Sequence, residues 1–188
     1  GTATLASGAG EIAEPTILRA ADGGEVVAWG EARAGGSALR ALRLTPAGTI
    51  AQGWAQGGST IASAGVGISA PALLADGSGG AFIAWEDRAS GSGHITAQRV
   101  RGDGRLDSLW GEGVVVCSSR GEQFAPALSP DGNGGLIATW VDEASQGAGG
   151  YLSATNLPMD ELPTWVRAET NAGYARMVWQ AGLLPGAR

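Results

Sequence analysis

Apolar residues in this chain come in short runs cut by glycine-rich polar segments, and no stretch keeps a helical period. Three runs end in tryptophan: Glu25-Val26-Val27-Ala28-Trp29, Ala81-Phe82-Ile83-Ala84-Trp85 and Leu136-Ile137-Ala138-Thr139-Trp140. Such nearly unbroken apolar runs predict strands buried on both faces. A shorter apolar run precedes each, opening at Pro15, Pro71 or Pro126. A strand that starts at proline is tolerated, because its first residue needs no ladder N–H. Between the paired runs stand Asp22-Gly23-Gly24, Asp76-Gly77-Ser78-Gly79-Gly80 and Asp131-Gly132-Asn133-Gly134-Gly135. These turns supply positive φ at little cost and return the chain antiparallel. A third strand, Ser37 to Leu44, His94 to Val100 and Gly150 to Leu157, follows each Trp-ended run. In the middle copy it alternates, with Ile95, Ala97 and Arg99 on one side and Thr96, Gln98 and Val100 on the other. A fourth strand is expected at Ser59 to Ser63 and Gly113 to Ser118.

The tryptophans turn this pattern into a repeat. One and the same spacing separates Trp29 from Trp54, Trp85 from Trp110, and Trp140 from Trp165. The first members of these pairs recur at nearly equal intervals along the chain, and Pro15, Pro71 and Pro126 recur in step with them. Four short antiparallel strands in each such repeat predict an all-β fold, a β-propeller-like array of four-stranded blades. The expected units are 15–68, 69–123 and a degenerate 124–170, in which Pro158 to Pro163 replaces a glycine turn. Residues 1–14 read as the end of a preceding blade or a closing strand. Residues 171–188 read as an off-register strand or the start of a C-terminal module, since Trp179 follows Trp140 too soon to fit the repeat. Three blades fall short of the four to eight or so that close a ring. The free edges therefore predict more of the same chain, a protein partner or a second copy.

The units resemble a family of secreted bacterial repeat proteins with predicted β-propeller domains. The middle unit carries the resemblance most fully, through Pro71, the Asp76-Gly77-Ser78-Gly79-Gly80 turn, Trp85-Glu86-Asp87-Arg88, Ala97-Gln98-Arg99-Val100, Gly104, Trp110 and Gly113. The likeness covers roughly residues 10–165. It implies a propeller-like fold and a secreted, periplasmic or cell-surface location. The residues themselves, with their repeated acids and no cofactor motif, predict a binding or scaffold role and no cofactor. The sialidase Asp-box is a poor match: Asn133 stands at its glycine position, and no Trp follows at the right distance.

Composition narrows the function. The chain has 188 residues, 33 of them glycine, no lysine, and a net charge of −6. That charge argues against nucleic acid as a partner. The missing lysine excludes a Walker A loop, and one Cys with one His excludes a Cys/His zinc site. The longest uncharged stretch is too rich in Gly, Pro and polar residues for direct membrane insertion.

Candidate chemistry rests on few residues. Glu86, Asp87 and Asp142, with Glu143, follow the Trp-ended strands and could form the acid/base pair of a glycosidase or lyase. Their recurrence with Glu31 in every unit favours a capping role instead. Asp76 and Asp131 could offer oxygen to Ca²⁺, but each turn has a single carboxylate, which favours a simple Asx-type turn. His94, unrepeated, is a candidate general base or a lone surface histidine. Cys117 reads as a small outer-strand hydrophobe. Arg43 and Arg99 hold near-equivalent third-strand positions and are expected to pair with a neighbouring blade's carboxylates, with an acidic partner as the alternative. Together these features predict a non-catalytic, extracytoplasmic propeller-like module, with a lobe of a carbohydrate-active propeller enzyme as the alternative.

Overall fold

The computed structural model describes residues 4–7, 10–64, 67–117, 121–144, 150–157, 168–171 and 174–177. Among them the protein is all-β and antiparallel, with one 3-10 turn at Ser108–Trp110 and no α-helix. The first sheet is a meander of β1 (Glu11–Arg19), β2 (Glu25–Arg33), β3 (Gly36–Leu44) and β4 (Ser59–Ala64). The second repeats it with β5 (Ile68–Ala75), β6 (Ala81–Asp87), β7 (His94–Val100) and β8 (Val114–Val115). The third contains β9 (Gly121–Pro130), β10 (Leu136–Ala144) and β11 (Gly150–Leu157). A separate hairpin pairs β12 (Ala168–Asn171) with β13 (Tyr174–Met177). Trp165 and Trp179 lie outside the described residues.

The prolines do not open their strands. β1, β5 and β9 each start ahead of the proline, which sits inside the strand. There the register slips by one, between Ala13 and Thr16 in β1, Ser69 and Ala72 in β5, and Phe124 and Ala127 in β9. Two residues of the first strand therefore oppose one residue of the second, and that residue is Trp29, Trp85 or Trp140. A β-bulge frees one residue from the ladder, so a proline without N–H fits there as well as at a strand end. Glu14 and Ala125, each just before its proline, have φ of 52° and 53°. Positive φ in residues with a Cβ is uncommon, and here it belongs to the bulge.

Each sheet packs on the next, with the first strand of the later sheet (β5 or β9) nearest the first three strands of the earlier one. One core joins the first two sheets, with Val26, Leu39, Leu42 and Ile61 against Ile83, Trp85 and Val100. Another joins the second and third, with Phe82, Ala84, Ile95 and Ala97 against Leu136, Ala138, Trp140 and Leu157. Successive residues of β6 thus feed opposite cores, which is why its sequence lacks alternation. Leu5 and Ala6 pack against the first core, and residues 4–7 form no strand.

The glycines that recur beside the tryptophans make room for indole rings. A Cβ on Gly58 would stand 2.6 Å from Cη2 of Trp29, and one on Gly113 would stand 3.2 Å from Cη2 of Trp85. Both have positive φ, +91° and +127°. A side chain at either place meets a ring from in front and an unfavourable backbone from behind.

Candidate functional site

Two groups of polar side chains gather where one sheet meets the next. The first lies beyond the Trp-ended strands. Glu86, at the end of β6, reaches across to the third sheet and accepts the Ala125 N–H at 2.9 Å through Oε1. Its other oxygen accepts from Ser69 Oγ at 3.2 Å and lies 3.7 Å from Arg88 Nη2. Arg88 also pairs with Glu122 of β9, and Glu122 accepts the Gly93 N–H at 3.1 Å. These bonds clamp β9, at its bulge and near its start, to the second sheet.

The other candidate acids face different partners. Asp87 accepts the Ala89 N–H at 2.9 Å in the following loop. Asp142 is buried, with Cys117 Sγ 4.0 Å from its Oδ2. Glu143 is exposed and lies opposite Glu122 in the register. The equivalent acid of the first sheet, Glu31, is buried and ion-paired with Arg33 at 2.6 Å and Arg40 at 2.9 Å. The acids recur, but their partners do not. His94 lies between Ser92 Oγ, 3.2 Å from Nε2, and Gln123 Oε1, 3.0 Å from Nδ1. Gln123 is fully buried and donates to the Gly121 carbonyl at 3.0 Å.

The second group surrounds the glycine turns at the opposite ends of these strands. Asp131 accepts the N–H groups of Asn133 and Gly135 at 2.7 and 2.9 Å. Asp76 accepts those of Ser78 and Gly80, both at 2.8 Å, and the Ser78 hydroxyl at 2.7 Å. Arg99 Nε and Nη2 lie 3.1 and 2.9 Å from the same Asp76 carboxylate. Asp22 accepts from Gly24 N–H and pairs with Arg43. Arg43 and Arg99 therefore pair with the turn carboxylate of their own sheet, not with that of a neighbouring one. The reason is the register: β3 and β7 run beside β2 and β6, so the arginines lie next to the turns that begin those strands.

Arg99 has a second counter-ion that sequence reasoning overlooked. Asp107, fully buried, bonds Arg99 Nη1 at 3.1 Å, Arg101 Nη2 at 3.2 Å and the Leu109 N–H at 3.1 Å. The first unit has no such acid, because Ala51 holds the equivalent place in the repeat. Arg43, Arg99 and Arg101 line an open groove of about 850 Å³ between the first two sheets. Among the described residues, no three His, Cys, Asp or Glu side chains are arranged to hold a metal ion. No described helix is long and apolar enough to cross a membrane.

Three buried carboxylates, Asp107, Asp76 and Glu31, are shifted in a common direction. Burial by itself would raise the Asp107 carboxyl, but the hydrogen bonds from Arg101 and Leu109 and the charges of Arg101 and Arg99 hold it below its ordinary value. In Asp76, bonds from Ser78, Arg99 and Gly80 outweigh burial in the same way, and in Glu31 Arg33 and Arg40 do so. A carboxylate whose folded pKa is depressed stabilises the fold above its unfolded pKa, and that stability is lost as pH falls through the folded value. Urea-unfolding free energy should therefore hold level above about pH 5 and drop steeply from about pH 4 downward. A stability that rises on acidification through this range would contradict these assignments.

No protein-family model matches the chain, and no curated protein matches it. Among solved structures it is similar to an endo-arabinase from Bacteroides thetaiotaomicron, with 11% identity and a TM-score of 0.47. That alignment covers 86% of this chain and 61% of the endo-arabinase. A glycosyl hydrolase from Bacteroides ovatus is similar at 12% identity and a TM-score of 0.39, over 85% of this chain and 54% of that one. The chain thus spans less than two thirds of either. Likenesses this loose carry no argument about activity.

Proposed function

We propose that the three sheets are successive blades of a propeller-like array, at 15–68, 69–123 and 124–170, and that the array is a non-catalytic binding or scaffold module. One observation carries this reading: the clamp that Glu86, Arg88 and Glu122 form between adjacent sheets. Both Glu86 oxygens face donors of the protein itself, and Asp87 closes its own loop. A glycosidase needs two carboxylates free to face the sugar, one of them as a proton donor. Carboxylates held in hydrogen bonds to the scaffold serve that role poorly. An extracytoplasmic location and a protein partner or second copy along the sheet edges complete the proposal. β1 supports the edge contact: among the described residues it pairs on one side only, and Ile12 and Ile17 on it are 42% and 65% exposed.

The alternative is a lobe of a propeller-type enzyme acting on carbohydrate, with Glu86, Asp87 and Asp142 as its acids. Buried Asp142, on a strand next to the sheet junction, is the feature that favours it. Hydrolysis of polysaccharide, by the intact chain and by a Glu86→Gln, Asp87→Asn, Asp142→Asn variant, separates the two.

A further inference from the structure

The repeat gives each residue of the first sheet a counterpart in the second, and several counterparts differ in burial. Ile68 of β5 is buried in the core shared with the first sheet. Its counterpart on β1 is Ile12, 42% exposed. Leu73 is half-buried, and its counterpart Ile17 is 65% exposed. Ile83 and Val100 are fully buried, whereas their counterparts Val27 and Leu44 are half-buried. The back of the third sheet shows the reverse. Val26 and Ala28, like Phe82 and Ala84, are buried against the sheet that follows, whereas Ile137 and Thr139 are half-buried. Two faces are thus incompletely covered by the described residues. They are the two halves of a contact that the chain already makes twice within itself.

The N-terminal segment adds a second, independent sign. Thr4-Leu5-Ala6-Ser7 stands one repeat ahead of Thr60-Ile61-Ala62-Ser63 of β4. Ile61 fills the core between the first two sheets, and Val116, its counterpart, fills the next one. Leu5 packs against the first core, although residues 4–7 pair with no strand among the described residues. These residues therefore lie where the fourth strand of a preceding sheet would lie, without its third strand. The third sheet is the complement: among the described residues it has three strands, and β11 pairs on one side only. The segment at its fourth-strand place, β12, has no large apolar residue and pairs with β13. We infer that two copies of this chain associate head to tail, the first sheet of one on the back of the third sheet of the other, with residues 4–7 added beside β11 as its fourth strand. Free strand edges favour such addition through their unpaired N–H and C=O groups. Each copy offers both faces, so two copies of three sheets meet twice and close a ring of six, within the roughly four to eight blades of closed propellers. On the front face Glu25 stands where Ala81 does, and Arg19 already pairs with it at 3.2 Å, so the contact meets no unpaired charge there. The inference rests on the reading of the sheets as successive blades.

The test is sedimentation equilibrium of the purified 188-residue chain. Two chains per particle are expected, with no larger species as concentration rises. Ile17→Arg alters a residue 65% exposed within one chain, so the variant should fold. It should weaken association at least about 10-fold by placing a charge in the contact. Leu5→Asp should weaken it likewise. Amide exchange from Leu5 to Ser7 should be slower in the dimer than in Ile17→Arg. A monomer at every concentration, an open series of larger oligomers, full association of folded Ile17→Arg, or unprotected Leu5 to Ser7 amides within a dimer would each overturn the inference. Ile61→Asp separates that failure from a failure of the blade reading. Ile61 is buried between the first two sheets, so this variant should melt at a lower temperature whether or not the chain dimerises. An unchanged melting temperature would strike the blade reading itself, whereas a monomer that Ile61→Asp destabilises strikes the association alone.

Discussion

Asp107→Ala should lower the unfolding free energy by about 3–5 kcal/mol, the range for breaking a buried ion pair by removing one partner. Asp107 joins three things at once. It neutralises Arg99, which is only 14% exposed, it tethers Arg101, and it caps the 3-10 turn through Leu109 N–H. Without it Arg99 keeps only Asp76, and the turn loses its cap. The turn positions Trp110, whose ring lies 5.5 Å from that of Phe82 in the second core. The loss therefore reaches apolar packing as well as charge. Asp107→Asn retains an acceptor for Leu109 N–H and should cost less. Urea melts with unchanged m-values would report this as stability, not as a change in the unfolded state. A loss below about 1 kcal/mol, the scale of an exposed pair, would contradict the assignment.

Trp85→Ala should cost about 3–5 kcal/mol, as large aromatic truncations in cores do. Trp85 is 1% exposed and belongs to the core between the first two sheets. It sits opposite the β5 bulge, with Gly113 set against its ring. Little can move in to fill the space, because a bulge and a glycine already shape it. Trp85→Phe should cost less than the alanine change. It leaves a smaller cavity and removes a buried indole N–H that has no partner among the described residues. Equal losses for the two variants would mean that cavity size is not what governs this site.

The repeat was legible because strands that pack alike need like residues at like intervals. Trp29, Trp85 and Trp140 announced the sheet order, the turns and the buried second strands. Pro15, Pro71 and Pro126 recur in step with the tryptophans, but their spacing alone predicts strand starts where the structure has bulges. A bulge needs a partner strand to be visible, and Pro15 alone looks like a strand start. Asp107 carries no local signal: it lies in a turn outside the repeated motif, and its partners Arg99 and Arg101 are brought to it only by the β7 register. Sequence spacing does not carry register, so it cannot show that Arg43 and Arg99 pair with the turn carboxylates of their own sheets. Glu86 was singled out as an acid, but its bond to Ala125 N–H joins two sheets across a long separation in sequence. No local pattern encodes such a contact.

The proposed module uses Glu86 to clamp two sheets and Asp87 to close a loop, and performs no catalysis with either. The most direct test of this is reducing-end release from arabinan and a panel of other polysaccharides. The intact chain is compared with the Glu86→Gln, Asp87→Asn, Asp142→Asn variant, with folding of both checked by circular dichroism. No release by the intact chain above that of the variant is expected, together with a lower melting temperature for the variant. Release by the intact chain that disappears in an equally folded variant would contradict it and establish the enzyme reading.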